Sequence, residues 1–123
     1  MARRVQSDPH FGGIVVHGPP DPHVVVMFTG DAEARLRSYT SDPRYRARRV
    51  DLTLSQLEAM KDDVGSQIAG LDIRCFTVDA DELHNTVTVV TPYGEAIRQA
   101  AQQRRLTLPQ KFRLLSGPCV EAR

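Results

Sequence analysis

No stretch of this chain approaches the roughly 18 consecutive apolar residues that a bilayer-spanning helix needs. Met1-Ala2-Arg3-Arg4 is not followed by an apolar run either, so no membrane span, signal peptide or anchor is expected in these residues. An export signal trimmed from upstream would favour a periplasmic or secreted setting. Excess charge of one sign is also missing. Sixteen basic against fifteen acidic residues leave a net charge of +1. That argues against a nucleic-acid or membrane-surface partner, because such affinity rests on accumulated positive charge. Tryptophan is absent and aromatics make up only 6% of the chain. Most of them fall on expected core faces, which leaves no base-stacking platform. Cysteine is scarce: Cys75 and Cys119 form no CxxC and lie near no histidine, so zinc and thioredoxin-like chemistry find no support.

What the chain does have is a repeated pattern. The first pass runs through apolar Phe11–His17, a turn at Gly18-Pro19-Pro20-Asp21-Pro22, and the β-branched run His23–Phe28. An amphipathic stretch from Asp31 to Thr40 and a strand over Arg44–Leu52 complete it. The second pass offers Ile73–Val78, a loop, Thr86–Thr91, an amphipathic stretch from Pro92 to Arg104, and Phe112–Leu115. Each reads strand–strand–helix–strand, although the halves share almost no identities. A ββαβ unit of about 40 residues cannot bury its apolar faces alone, so the two must pack on each other or on a partner.

The best-defined element joins them. Over Leu54–Ala69, Thr53 and Gln56 form a capping box, Leu57, Met60, Val64 and Ile68 make one stripe, and Gly70 supplies the stop. The expected fold is α+β: two ββαβ units, residues 11–52 and 73–115, joined by the amphipathic helix 54–69, with helices on one face of antiparallel or mixed sheets. A disordered lead over 1–9, one domain over 10–118 and a flexible tail over 119–123 complete the outline. Gly12 and Gly13 predict a bulge or close backbone approach in the first strand. Thr91-Pro92 reads as the cap and first position of the last helix, with Ile97, Ala100, Ala101 and Arg104 inward.

Several clusters invite a chemical reading. Arg44, Arg46 and Arg48 alternate along a strand and so share a face. They form either a docking strip for an acidic group or a solvated sheet face that guards an edge. Asp79, Asp81 and Glu82 fall in an expected loop without the glycine and downstream glutamate of a calcium loop. His17 and His23 bracket the first turn, yet a zinc site needs a third or fourth ligand that is not apparent. Cys75 sits in an expected strand and Cys119 just past another. A disulfide closing a loop of about 44 residues would add roughly 3–4 kcal/mol; one buried and one exposed thiol fit equally well. No Ser-His-Asp order, nucleophile elbow, Gly-rich phosphate loop or HExxH occurs, so no enzyme and no cofactor are expected.

The segment Phe11-Gly12-Gly13-Ile14-Val15-Val16-His17, followed by His23-Val24-Val25-Val26-Met27-Phe28-Thr29-Gly30-Asp31 and by the capped helix Leu54-Ser55-Gln56-Leu57-Glu58, resembles the pro-regions of α-lytic-type bacterial serine proteases. It is also similar to bacterial exported proteins that share this pattern. The resemblance covers roughly Phe11 to Leu71 and, more faintly, the second half. It departs where Val15 stands in place of a frequent tryptophan, and the two cysteines lie outside the pattern. It implies α+β lobes that assist the folding of a protease and inhibit it. It also implies contact through the last strand, Phe112–Leu115, and the tail, Ser116–Arg123, with Phe112, Arg113, Leu114, Leu115, Ser116 and Gly117 as the contact residues. The expected function is thus a non-enzymatic protein-binding module with another protein, a serine protease, as partner. The alternatives are a domain binding a small molecule, anion or metal in a cleft between the halves through Arg46, Arg48 and the turn histidines, and a structural domain that self-associates as a homodimer.

Overall fold

The structure, a computed structural model, describes residues 2–118. Where one domain over 10–118 is expected, the chain divides into two compact units. The first is Met1–Gln56 with Glu82–Asn85; the second is Leu57–Asp81 with Thr86–Arg123. The element order is α1 (Ala2–Gln6), β1 (Phe11–His17), β2 (His23–Phe28), α2 (Ala32–Tyr39), β3 (Tyr45–Arg49), α3 (Leu54–Ala69), β4 (Thr77–Asp81), β5 (Thr86–Thr91), α4 (Gly94–Gln102) and β6 (Phe112–Ser116). The class is α+β, and the repeated pattern is a repeat of topology. Each unit holds a three-stranded sheet whose first two strands pair antiparallel and whose third pairs parallel with the second.

In the first unit the alternation of β2 decides the core. Val24, Val26 and Phe28 point one way and meet Leu36 and Ala32 of α2, with Val5, Phe11, Ile14, Tyr39, Tyr45, Ala47 and Leu54 around them. Phe28 packs edge-on to Phe11 at 6.4 Å and parallel to Tyr39 at 6.3 Å. Truncating so buried a ring costs about 3–5 kcal/mol. Asp31 caps α2 by accepting the Ala34 N–H. The double glycine does produce a bulge, between Phe11 and Gly13. A Cβ on Gly12 would meet Val50 at 2.6 Å, and one on Gly13, whose φ is +139°, would meet the Glu82 carboxylate at 2.8 Å. The segment Glu82–Asn85 is held by Asn85, buried at φ 52°, whose amide accepts from Leu52 N–H and donates to Leu52 C=O at 2.9 and 2.8 Å.

In the second unit Val87, Val89 and Thr91 of β5 are fully buried, as are Leu57, Val64 and Ile68 of α3 and Ile97 of α4. Met60 of the same stripe is half-buried. The capping box forms as expected, Thr53 N–H donating to Gln56 and Gln56 N–H to Thr53.

Three expectations need correction. The fourth strand lies at Thr77–Asp81, not 73–78, because Val78 and Ala80 alternate with Asp79 and Asp81, so these two carboxylates stand on a strand and not in a loop. Helix α4 begins at Gly94 with Tyr93 as its cap. Thr91, fully buried, instead donates its hydroxyl to the Cys75 carbonyl and accepts the Tyr93 N–H, and Arg104 lies past the helix at φ 60°. Helix α3 does stop at Gly70, as expected, and the left-handed residue after it is Asp72, φ 62°. Finally, the expected disordered lead is ordered over the described residues. Val5 is fully buried, and Asp8 accepts from Tyr39 Oη (2.6 Å), His10 N–H (2.8 Å) and Arg35 Nη1 (3.2 Å). The expected tail over 119–123 lies outside the described residues.

Burial alone pushes the Asp8 carboxyl up, but the hydrogen bonds from Tyr39 and His10 and the charge of Arg35 outweigh it and hold it below its ordinary 3.8. The same bond raises the Tyr39 hydroxyl. A depressed carboxyl stabilises the fold above its unfolded value, and that stabilisation disappears as pH falls through the folded one. Asp8→Asn is therefore expected to cost about 1–3 kcal/mol at neutral pH. Urea denaturation should show that gap constant from pH 5 to 8 and closing below about pH 4. A gap unchanged in acid would show that the charge contributes nothing.

Candidate functional site

The resemblance singles out the last strand, and the structure puts Phe112 to Ser116 into it and Gly117 directly after it. Phe112 and Leu114 turn to the half-buried side while Arg113 and Leu115 are exposed, the alternation a strand demands. A Cβ on Gly94 would touch Leu114 at 3.6 Å, so the start of α4 lies over that residue. Arg113 stands 3.7 Å from Asp81. Leu115 is 40% exposed, one of few large apolar side chains to be so.

The backbone of this strand is more telling than its side chains. The parallel ladder with β5 begins with Val87 N–H donating to the Lys111 carbonyl and ends with Gly117 N–H donating to Thr91 C=O. Ladder groups alternate, so Lys111, Arg113, Leu115 and Gly117 are used. Phe112, Leu114 and Ser116 direct N–H and C=O to the outer edge, where they meet no partner among the described residues.

Strand β3 is its counterpart in the first unit, with the same burial sequence along its length. Its outer edge is treated differently. The Arg37 guanidinium of α2 donates to Tyr45 C=O at 2.8 Å, to Asp42 C=O at 3.2 Å and to Thr40 C=O at 3.4 Å, anchored on Glu33 at 2.8 Å. Tyr45 N–H is taken by Asp42 C=O. The near end of β3 is thus closed by a side chain, whereas no side chain among the described residues closes Phe112. Nothing in the sequence separates Arg37 from its neighbouring arginines, so this difference was not foreseeable from residue types.

Arg46 and Arg48 share a face of β3, whereas Arg44, expected on the same strand, lies in the turn before it; two of the three are already partnered. Arg44 grips Asp42 at 2.7 Å, and its hydrogen bonds bring that carboxyl down to about 2. Arg46 holds Asp21 at 3.2 and 3.3 Å. Only Arg48 of the three makes no ion pair among the described residues. The strip therefore offers an incoming anion less charge than its composition suggests. The strip belongs to the first unit and β6 to the second.

His17 and His23 face each other across the hairpin with rings stacked at 4.4 Å and 11° apart. His23 Nδ1 lies 2.7 Å from the Asp21 carbonyl. Two parallel rings cannot aim their lone pairs at one shared ion. Among the described residues no group of three His, Cys, Asp or Glu could hold a metal. Cys75 precedes β4 instead of lying within a strand, and it is not a free thiol. Cys119, the other half of the expected pair, lies outside the described residues.

Gly117 occupies a position where space decides the residue. A Cβ there would stand 2.5 Å from Val90 Cγ1, a methyl on a β-branched side chain that is stiff at χ1. Gly117→Ala is expected to destabilise the second unit by about 1–3 kcal/mol through overpacking. Thermal unfolding measures it, and the double variant with Val90→Ala should recover most of the loss.

Neither a protein-family model nor a curated protein sequence matches this chain.

Proposed function

We propose that this chain is a non-enzymatic protein-binding module of the protease pro-region kind. It engages a serine protease by offering the outer edge of β6 to a strand of the partner, and thereby assists the partner's folding or inhibits it. The observation that carries this reading is the open edge at Phe112, Leu114 and Ser116, in contrast to the near end of β3, where Arg37 takes the Tyr45 carbonyl. An extended partner segment laid along β6 gains main-chain hydrogen bonds at those three residues, while Leu115 supplies an exposed apolar contact. Each such bond contributes a net of about 1 kcal/mol, so affinity grows with the length of strand matched.

The resemblance to such pro-regions, over roughly Phe11 to Leu71 and more faintly in the second half, supports the same reading. It supplies the class of partner, and it names the last strand, whose outer edge is open. No residue of β6 is asked to do chemistry: the arrangement binds.

Inhibition assays of an α-lytic-type bacterial serine protease by the full chain provide the test. Ser116→Pro removes one outward N–H from an exposed edge residue while leaving the ladder to β5 intact. It is expected to weaken inhibition at least about tenfold, the equivalent of 1.4 kcal/mol, with the circular dichroism unchanged. Leu115→Asp should act in the same direction. A chain that neither binds nor inhibits at about 100 µM, well above the range of specific complexes, would refute the reading.

A further inference from the structure

Four strand edges face outward in the two sheets, and three of them carry charge. Arg46, Arg48 and Arg49 lie on β3, Asp79 and Asp81 on β4, and Arg113 on β6. Charged side chains on an edge are the usual guard against pairing with another chain. Strand β1, Phe-Gly-Gly-Ile-Val-Val-His, contains no Asp, Glu, Lys or Arg. Its Val16 is 73% exposed, the highest exposure of any large apolar residue described.

The backbone at this edge is also open. Val24 N–H donates to Arg44 C=O on the β3 side, so the odd-numbered residues of β2 face β1. Their partners Gly13, Val15 and His17 carry the ladder. Ile14 and Val16 therefore direct N–H and C=O away from the sheet, with no partner among the described residues.

We propose that this edge pairs antiparallel with β1 of a second copy of the chain, about a twofold axis through Val15. The register is self-complementary. Ile14 and Val16 of one copy exchange both backbone hydrogen bonds with Val16 and Ile14 of the other, and each exposed Val16 is covered by the opposing Ile14. His17 falls opposite Gly13, which has no side chain of its own and leaves that place to Glu82 and Met27. The Glu82 carboxylate, 2.8 Å from where a Gly13 Cβ would be, lies beside that imidazole. A twofold interface uses the same patch twice and closes, so the product is a dimer with one continuous six-stranded sheet and no fibre. The inference does not depend on the reading of β6, which lies in the other unit.

An interface of one strand pair is small, so the dimer is expected to be weak and reversible, with dissociation in the range of roughly 10 µM to 1 mM. Sedimentation equilibrium of the full chain across that range should show an average mass rising with concentration toward twice the chain mass. Val16→Lys puts a charge on an already exposed side chain, and it should shift dissociation at least about tenfold, or 1.4 kcal/mol, with an unchanged far-ultraviolet spectrum. Val15→Cys places two thiols on the axis, and mild oxidation should cross-link it to a dimer while the unaltered chain stays uncrosslinked. Ser116→Pro should leave the dimer as it is. A chain still monomeric at the highest concentration, a dimer indifferent to Val16→Lys, or open-ended oligomers would each overturn the proposal.

Discussion

The constraint on which the rest depends is that each sheet has only one strand with neighbours on both sides. Strands β2 and β5 are those strands, and their alternate side chains supply the centre of each core: Val26 and Phe28 in one unit, Val87 and Val89 in the other. With three strands per sheet, two of every three are edges, and a helix must cover the core face because no further strand can. The crossover from the central strand to a parallel third strand provides that helix. Two passes of dissimilar residues thereby reach the same wiring.

Shared wiring does not carry shared chemistry. At corresponding positions of the helix-free faces, the first sheet has His17 and His23 where the second has Asp81 and Thr86, and Arg48 where the second has Leu115. The two third strands share their burial pattern and differ in what stands at their outer rim. In such a fold the cores are spent on holding three strands to a helix.

Much of the fold was legible because its signals are local. The β-branched runs Val24–Val26 and Val87–Val90, the capping box at Thr53 and Gln56, and the bulge at Gly12-Gly13 each need only neighbouring residues to be read. The misread parts depend on distant partners. Five residues of α1 with one valine show no period, and their order rests on Asp8 meeting Tyr39 and Arg35 about thirty positions away. Asp79 and Asp81 look like loop residues until β5 supplies their ladder. Thr91 could have capped a helix, but the Cys75 carbonyl claims its hydroxyl. Of the candidate site, the strand was legible from its alternation, whereas the openness of its rim depends on which carbonyl Arg37 reaches.

Asn85 has a consequence for how this chain could be taken apart. The first unit is discontinuous: residues 82–85 return to it after the chain has left at Gln56, and Asn85 grips the Leu52 backbone from both sides. A fragment ending at Gln56 would therefore leave the Leu52 amide and carbonyl without those partners and strip Glu82 from above Gly13. Although the topology looks duplicated, no single cut of the polypeptide yields a self-sufficient half. Any shuffling of these repeats between genes would have to move both passes together.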